Sequence, residues 1–247
     1  MTVRVLQTKD EIERARRELR RSGLSCTSAW PLPLLRRIGK KLGLPTRVTV
    51  GDSIKSWDVL TTTRFIQENI SLSAPILDIG AYASEIVCVL HRSNYSALAG
   101  VDLNPDLKRM PHADAIRYEV SDFMHTPFAP ESFAVVTAIS VIEHGFQSQP
   151  LLREIARLLQ PRGYFVASFD YWPEKVDTTG IDIFGMDWRI FSRADVLAFI
   201  DEARGYGLQP CGQVQLEAGT PTMRWSNRHY TFAWIALQKC DPGSFSR

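Results

Sequence analysis

From Pro75 onward, short apolar runs alternate with stretches in which apolar residues recur every three or four positions. Ile76, Leu77 and Ile79 form the first run, and the pattern predicts strands near 76–80, 97–103, 115–121, 133–140 and 163–169. Helical stretches lie between them. The clearest is Leu151 to Gln160, where Leu151, Leu152, Ile155, Leu158 and Leu159 share one face. Pro150 suits the first turn of that helix, and Pro161-Arg162-Gly163 closes it. Ser192 and Asp195 stand at capping-box spacing and open a helix running to about Tyr206. Two late strands, near 211–217 and 230–238, are close enough to pair antiparallel across the loop EAGTPTMRWSNR. Strands alternating with helices predict an α/β fold: a doubly wound, mostly parallel, seven-stranded sheet ending in an antiparallel hairpin. Its ligand is expected outside the carboxyl ends of the first strands.

Ahead of this body, Thr8 and Glu11 have capping-box spacing, and Ile12, Ala15 and Leu19 form one stripe of a helix that Gly23 can end. Pro31, Pro33 and Pro45 then bracket a short basic apolar piece, Leu34 to Leu42. A further helix is expected from about Val59 to Ile70. Charge separates the two parts: residues 1–50 carry 12 Lys+Arg against 4 Asp+Glu, and the remainder carries 17 against 23. We therefore expect a basic helical N-terminal extension (1–50), a ligand-binding domain (51–240) and a short tail (241–247). The four cysteines are dispersed, without C-x-x-C or a histidine group at ligand spacing, so neither a metal site nor a disulfide framework is expected. No apolar run reaches membrane-spanning length, and Arg4, Lys9 and Asp10 interrupt any signal-peptide core, which predicts a cytoplasmic protein.

The candidate chemistry starts in ILDIGAYASE, Ile76 to Glu85. Gly80 ends the first strand, but a dinucleotide-type loop would place further glycines where this chain has Tyr82 and Ser84. Asp102, in LAGVDLNP, ends the second strand at about the distance expected for an acid that binds ribose hydroxyls. A carboxylate suits that task because its two oxygens accept from both hydroxyls; a strand-end Asx turn is the structural alternative. Asp122 and Phe123 follow the third strand, Ser140 to His144 follow the fourth, and LLREIARLLQPRGYFVAS supplies a helix and the fifth strand.

These motifs, in this order, resemble the class I S-adenosylmethionine-dependent methyltransferases over about residues 55–240, with their Rossmann-like sheet. The resemblance implies S-adenosyl-L-methionine as cofactor and methyl transfer to a small-molecule or glycan-like acceptor, at oxygen or nitrogen, similar to bacterial enzymes of sugars and specialised metabolites. It implies that Asp78 orients the cofactor turn or meets the amino group of the methionine portion and that Gly80 shapes the turn, with Tyr82 keeping its backbone path and Glu85 capping N–H groups or meeting the cofactor's ammonium group. Asp102, with Leu103, would hold the ribose, and Asp122 and Phe123 the adenine. Ser140 would close the cofactor side of the next loop. Candidate bases are His144, which titrates near neutral pH, and Asp170. Tyr171, Trp172, Trp188 and Trp225 either line an acceptor pocket or belong to the core. Lys55 and Trp57 stand where related enzymes fold a lid, and packing is the other role for Trp57. The basic residues within 33–47 (Arg36, Arg37, Lys40, Lys41 and Arg47) form a solvated face or a contact for phosphates or an anionic surface; no nucleic-acid module accompanies them. A catalytically inactive binding protein of this fold and a nicotinamide-dependent oxidoreductase are the rival readings.

Overall fold

In the computed structural model, which describes residues 3–27 and 48–241, the first described residues already belong to the main sheet. Strand β1 (Val3–Val5) lies antiparallel to the last strand, β11 (Arg228–Lys239), with Val5 opposite Ala233. Helix α1 (Lys9–Arg21) starts where expected: Glu11 accepts a hydrogen bond from the Thr8 N–H at 3.0 Å. Its stripe of Ile12, Ala15 and Leu19 is buried, and it packs along α2 (Ser56–Asn69). The boundary expected near residue 50 therefore does not describe residues 3–27, which complete the core. The basic piece Leu34 to Leu42 and the arginines and lysines around it lie outside the described residues.

The alternation after Pro75 gives β2 (Ile76–Ile79), α3 (Ile86–Arg92), β3 (Leu98–Asp102), β4 (Ile116–Val120), β5 (Phe133–Ile139), α4 (Ser148–Leu158) and β6 (Leu159–Tyr171). The main path of the sheet runs β4-β3-β2-β5-β6-β11-β1. Every pair from β4 to β6 is parallel, and β11 runs antiparallel beside β6. All four residues of β2 are buried, as expected of a central parallel strand covered on both faces. One face is covered by α4 and by α5 (Arg193–Gly205); Leu151, Leu152, Ile155, Phe199 and Ile200 share its apolar cluster. The other carries α1, α2 and α3.

The late strands differ from expectation. Residues 211–217 do not form a ladder; β9 (Leu208–Pro210) pairs with the far end of β11, and β1 takes the rest of that edge, touching Val214 through one bridge. The hairpin is instead β10 (Met223–Trp225) with β11. Its two-residue turn, Ser226-Asn227, has φ of 45° and 58°, the pair of positive values that a tight hairpin with the right twist requires. A small separate hairpin, β7 (Asp182–Ile183) and β8 (Met186–Asp187), turns at Phe184-Gly185.

Candidate active site

The strand order reverses between β2 and β5, so their carboxyl ends diverge into the crevice where ligands bind in such sheets. Gly80 closes β2 with φ +68°, and a Cβ there would lie 2.3 Å from a Val141 methyl on the loop after β5. Only glycine permits that backbone and that approach. Across the switch, Ser140 is held at φ +56°, an unfavourable conformation for a side-chain-bearing residue and one that clusters at functional sites. Its hydroxyl donates to Glu143 Oε1 at 2.7 Å. Beneath them Asp78 is fully buried: Oδ1 accepts from Thr137 Oγ1 at 2.7 Å, and Oδ2 has no partner within the protein. Burial pushes this carboxyl up to about 7, against the opposing pull of the Thr137 and Ser84 hydroxyls.

The glycine-poor turn is not strained at the substituted positions. Positive φ falls on Gly80 and on Ala83 (61°), whereas Tyr82 and Ser84 keep ordinary backbone angles. The Tyr82 N–H donates to Asp102 Oδ2 at 3.0 Å, and its ring packs against the apolar cluster on the α1–α3 face. Asp102 Oδ1 takes the Asn104 N–H at 2.8 Å. The strand-end turn is therefore real, yet each oxygen keeps a lone pair for a ligand. Leu103 beside it is 60% exposed. Asp122 is exposed; Oδ1 caps its own turn through the Met124 N–H at 2.8 Å, and Phe123 packs half-buried against the α4–α5 cluster. Glu85 departs from expectation. Its carboxylate is buried and bound by Arg16 and by the Cys26 N–H, so it is already committed and not available to an ammonium group of a ligand.

On the β5–β6 side the structure brings His144 and Asp170 together with groups the sequence left apart. Asp170 Oδ2 accepts from Trp188 Nε1 at 2.8 Å, and Oδ1 stands 3.7 Å from Lys55 Nζ. That ammonium also sits 3.5 Å from the centre of the Phe232 ring. Glu143 and Asp58 complete the group, with Ser168 next to Asp58. Among the described residues, seven have a buried side-chain N or O atom without a hydrogen-bond partner, and five of them are here: Asp58, Glu143, His144, Ser168 and Asp170. Three carboxylates around one ammonium, out of water, favour the neutral acids. Burial raises Asp58 to about 7 and also raises Asp170 and Glu143, with Lys55 opposing it in each case. Burial lowers His144, partly offset by Asp170, so the neutral imidazole is favoured.

The expected acceptor-pocket aromatics divide. Tyr171 is fully buried and its hydroxyl donates to the Leu216 carbonyl at 2.7 Å, which makes it core and not a pocket wall. Trp172 packs half-buried against the α1–α3-side cluster. Trp188 is buried over Asp170 with the half-exposed Trp225 edge-on at 5.1 Å. Trp57 is a packing residue, buried under the Arg4 guanidinium. Lys55 is an ion-pair partner of the site.

Residues 77–167 match the methyltransferase-domain family, and that span runs from β2 through most of β6. Over that span the chain is similar to the methyltransferase domain. A curated relative, methyltransferase GfsG of Streptomyces halstedii, is 25% identical over 111 residues; the match spans 41% of this chain and only 40% of that protein. Geranyl diphosphate C-methyltransferase from Streptomyces coelicolor, solved with Mg2+, geranyl diphosphate and S-adenosyl-L-homocysteine, has a TM-score of 0.55 at 16% identity, covering 72% of this chain and 78% of that one. The [4+2]-cyclase SpnF has a TM-score of 0.56 at 12% identity, covering 96% and 100%. At such identities these two likenesses concern the fold alone.

The residues of this methyltransferase domain fit the family's cofactor. The unpartnered Asp78 Oδ2, the Gly80 turn with no room for a side chain, and the part-free Asp102 carboxylate lie on neighbouring strands at one edge of the sheet. Among the described residues no helix is long and apolar enough to cross a membrane, and no three His, Cys, Asp or Glu side chains group as metal ligands. Sequence reasoning missed Asp58 and Arg16. An acid in a helix's first turn ordinarily answers the helix dipole at the surface, so nothing local marks Asp58 as buried.

Proposed function

We propose that the chain transfers a methyl group from S-adenosylmethionine to a small-molecule or glycan-like acceptor, at oxygen or nitrogen, by in-line displacement. The observation that carries the reading is the position of two groups across one switch point: the turn fixed by Asp102 at β2–β3, and His144 with Asp170 at β5–β6. When bound, the cofactor supplies an electrophilic methyl carbon on a sulfonium. The protein's work is then alignment and proton removal. Asp102 accepts from the ribose hydroxyls while the Tyr82 N–H fixes its orientation. Asp122 accepts from the adenine amine, Leu103 and Phe123 give apolar cover, and Asp78 meets the amino group of the methionine portion. Neutral His144 takes the proton from the acceptor heteroatom as the new bond to carbon forms.

The test is incubation of the full chain with methyl-deuterated S-adenosylmethionine and a panel of hydroxylated and amine acceptors, including oligosaccharides, with products read by mass spectrometry. A labelled product whose yield falls in His144→Ala, with cofactor affinity kept, supports the reading. Cofactor binding without consumption across the panel favours a binding protein that has lost turnover, and labelled carbon would move the acceptor class to carbon nucleophiles.

A further inference from the structure

The cofactor turn of this chain lacks two of the glycines that make such turns pliable, and one of its residues, Ala83, occupies the left-handed region at φ +61°. For a residue with a Cβ that conformation is unfavourable, so surrounding contacts must hold it. The Ala83 N–H goes to Met110 Sδ at 3.3 Å, and the other contacts come from the N-terminal part of the chain. The Gly51 N–H donates to the Ala83 carbonyl at 2.8 Å. Two residues on, both oxygens of Glu85 receive Arg16, from Nη1 and Nη2 at 3.2 Å each, and Oε1 also receives the Cys26 N–H at 2.8 Å. The same guanidinium also reaches Ser56 Oγ (2.7 Å), Ser25 Oγ and Thr27 Oγ1 (both 2.8 Å) and the Asp52 carbonyl (3.3 Å), with the Nη1 hydrogens shared among three acceptors. Residues 25–27 and 51–56 thus meet at one buried guanidinium–carboxylate pair behind the turn. The space is tight: a Cβ on Gly51, itself at φ +75°, would fall 2.8 Å from Glu85 Oε2 and 2.7 Å from a Thr27 methyl.

We infer that Arg16, Glu85 and Gly51 are positioning residues for cofactor binding: a clasp from the N-terminal helix that holds the glycine-poor turn in its ligand-binding shape. The bidentate geometry favours this role. A planar fork fixes both the place and the rotation of the carboxylate, which a flexible ammonium would not do. Burial adds to it, since a pair this enclosed contributes little net stability over an apolar pair of the same size but strongly penalises any arrangement that separates it. The turn therefore has one place to sit. The inference rests on the reading of residues 80–85 as the cofactor turn.

The test separates positioning from mere stability by comparing Arg16→Met, Glu85→Leu and the double variant of the full chain. Calorimetry with S-adenosylhomocysteine gives affinity, and thermal unfolding gives stability. Each single variant leaves a buried charge alone and should lose both. The double variant should regain most of the melting temperature while its affinity stays at least tenfold weaker than wild type. Recovery of both in the double variant would make the pair structural only and overturn the inference, as would unchanged affinity in the single variants. Glu85→Gln, which keeps the shape and removes the charge, serves if the larger changes do not fold; it should weaken affinity several-fold, and wild-type affinity would count against the clasp. Failure of the wild-type chain to bind the nucleoside would instead refute the cofactor reading.

Discussion

Replacing Asp58 with asparagine should make the protein more stable, and increasingly so as pH rises. Asp58 is completely buried with neither oxygen hydrogen-bonded, close to Lys55, Glu143 and Asp170, and burial raises it from the usual 3.8 to about 7. In the folded chain it keeps its proton to near neutrality, whereas unfolded it releases it near 3.8. The folded state thus binds more protons across that window. The stability from the neutral acid is complete below the unfolded value and is lost progressively as pH rises through the folded one. The gap from 3.8 to about 7 corresponds to roughly 4 kcal/mol at about 1.4 kcal/mol per unit. Asparagine has the same shape and no charge to bury. Relative to wild type it should gain roughly 3 kcal/mol between pH 5 and pH 8, the part of the window that lies above pH 5. For a domain of this size that is about 6–12 °C in melting temperature. Glu143 and Asp170 add to the raising of Asp58, and the asparagine, having no charge, escapes their repulsion. Thermal unfolding followed by circular dichroism at several pH values across that range measures the difference directly. Parallel melting-temperature curves, or an asparagine variant less stable than wild type at pH 8, would show that the carboxyl is not held neutral by its surroundings.

Three further outcomes follow from the geometry. Asp102→Ala should weaken S-adenosylhomocysteine binding by about 1.5–3 kcal/mol in a calorimetric titration, the range for a hydrogen bond to a charged group; unchanged affinity would remove the ribose assignment. Leu19→Ala, at a fully buried position of α1, should cost about 2–5 kcal/mol in denaturant unfolding if the N-terminal helix belongs to the core, whereas a surface extension would tolerate it. Tyr171→Phe should lose about 0.5–1.5 kcal/mol with the bond to the Leu216 carbonyl while leaving acceptor KM unchanged, and a raised KM would return Tyr171 to the pocket.

The parallel half of the sheet was legible because its signals are local. Apolar runs give β2 to β5 within a residue or two, the boxes at Thr8 and Ser192 start α1 and α5, and Gly80 and Asp102 mark two adjacent strand ends. What stayed hidden depends on distance in the chain. β1 has three residues, too few for periodicity to register, yet it takes the sheet edge that the alternation over 211–217 seemed to claim. Arg16 and Glu85 are far apart in sequence, so no spacing links them, and Glu85 looked free to serve a ligand until its partner appeared. Tyr171 follows a strand as a pocket aromatic would; only its complete burial assigns it to the core. The missing glycines are tolerated for a physical reason. The turn places its left-handed angles on residues 80 and 83, so side chains at 82 and 84 cost the backbone little.

The central claim is that a nucleoside-bearing sulfonium cofactor sits across the carboxyl ends of β2, β3 and β4. The most direct measurement is a calorimetric titration of the full chain with S-adenosylhomocysteine, with NAD as the comparison. Saturable binding of the former and none of the latter is the expected result. No binding of S-adenosylhomocysteine by a folded sample, or preference for NAD, would contradict it.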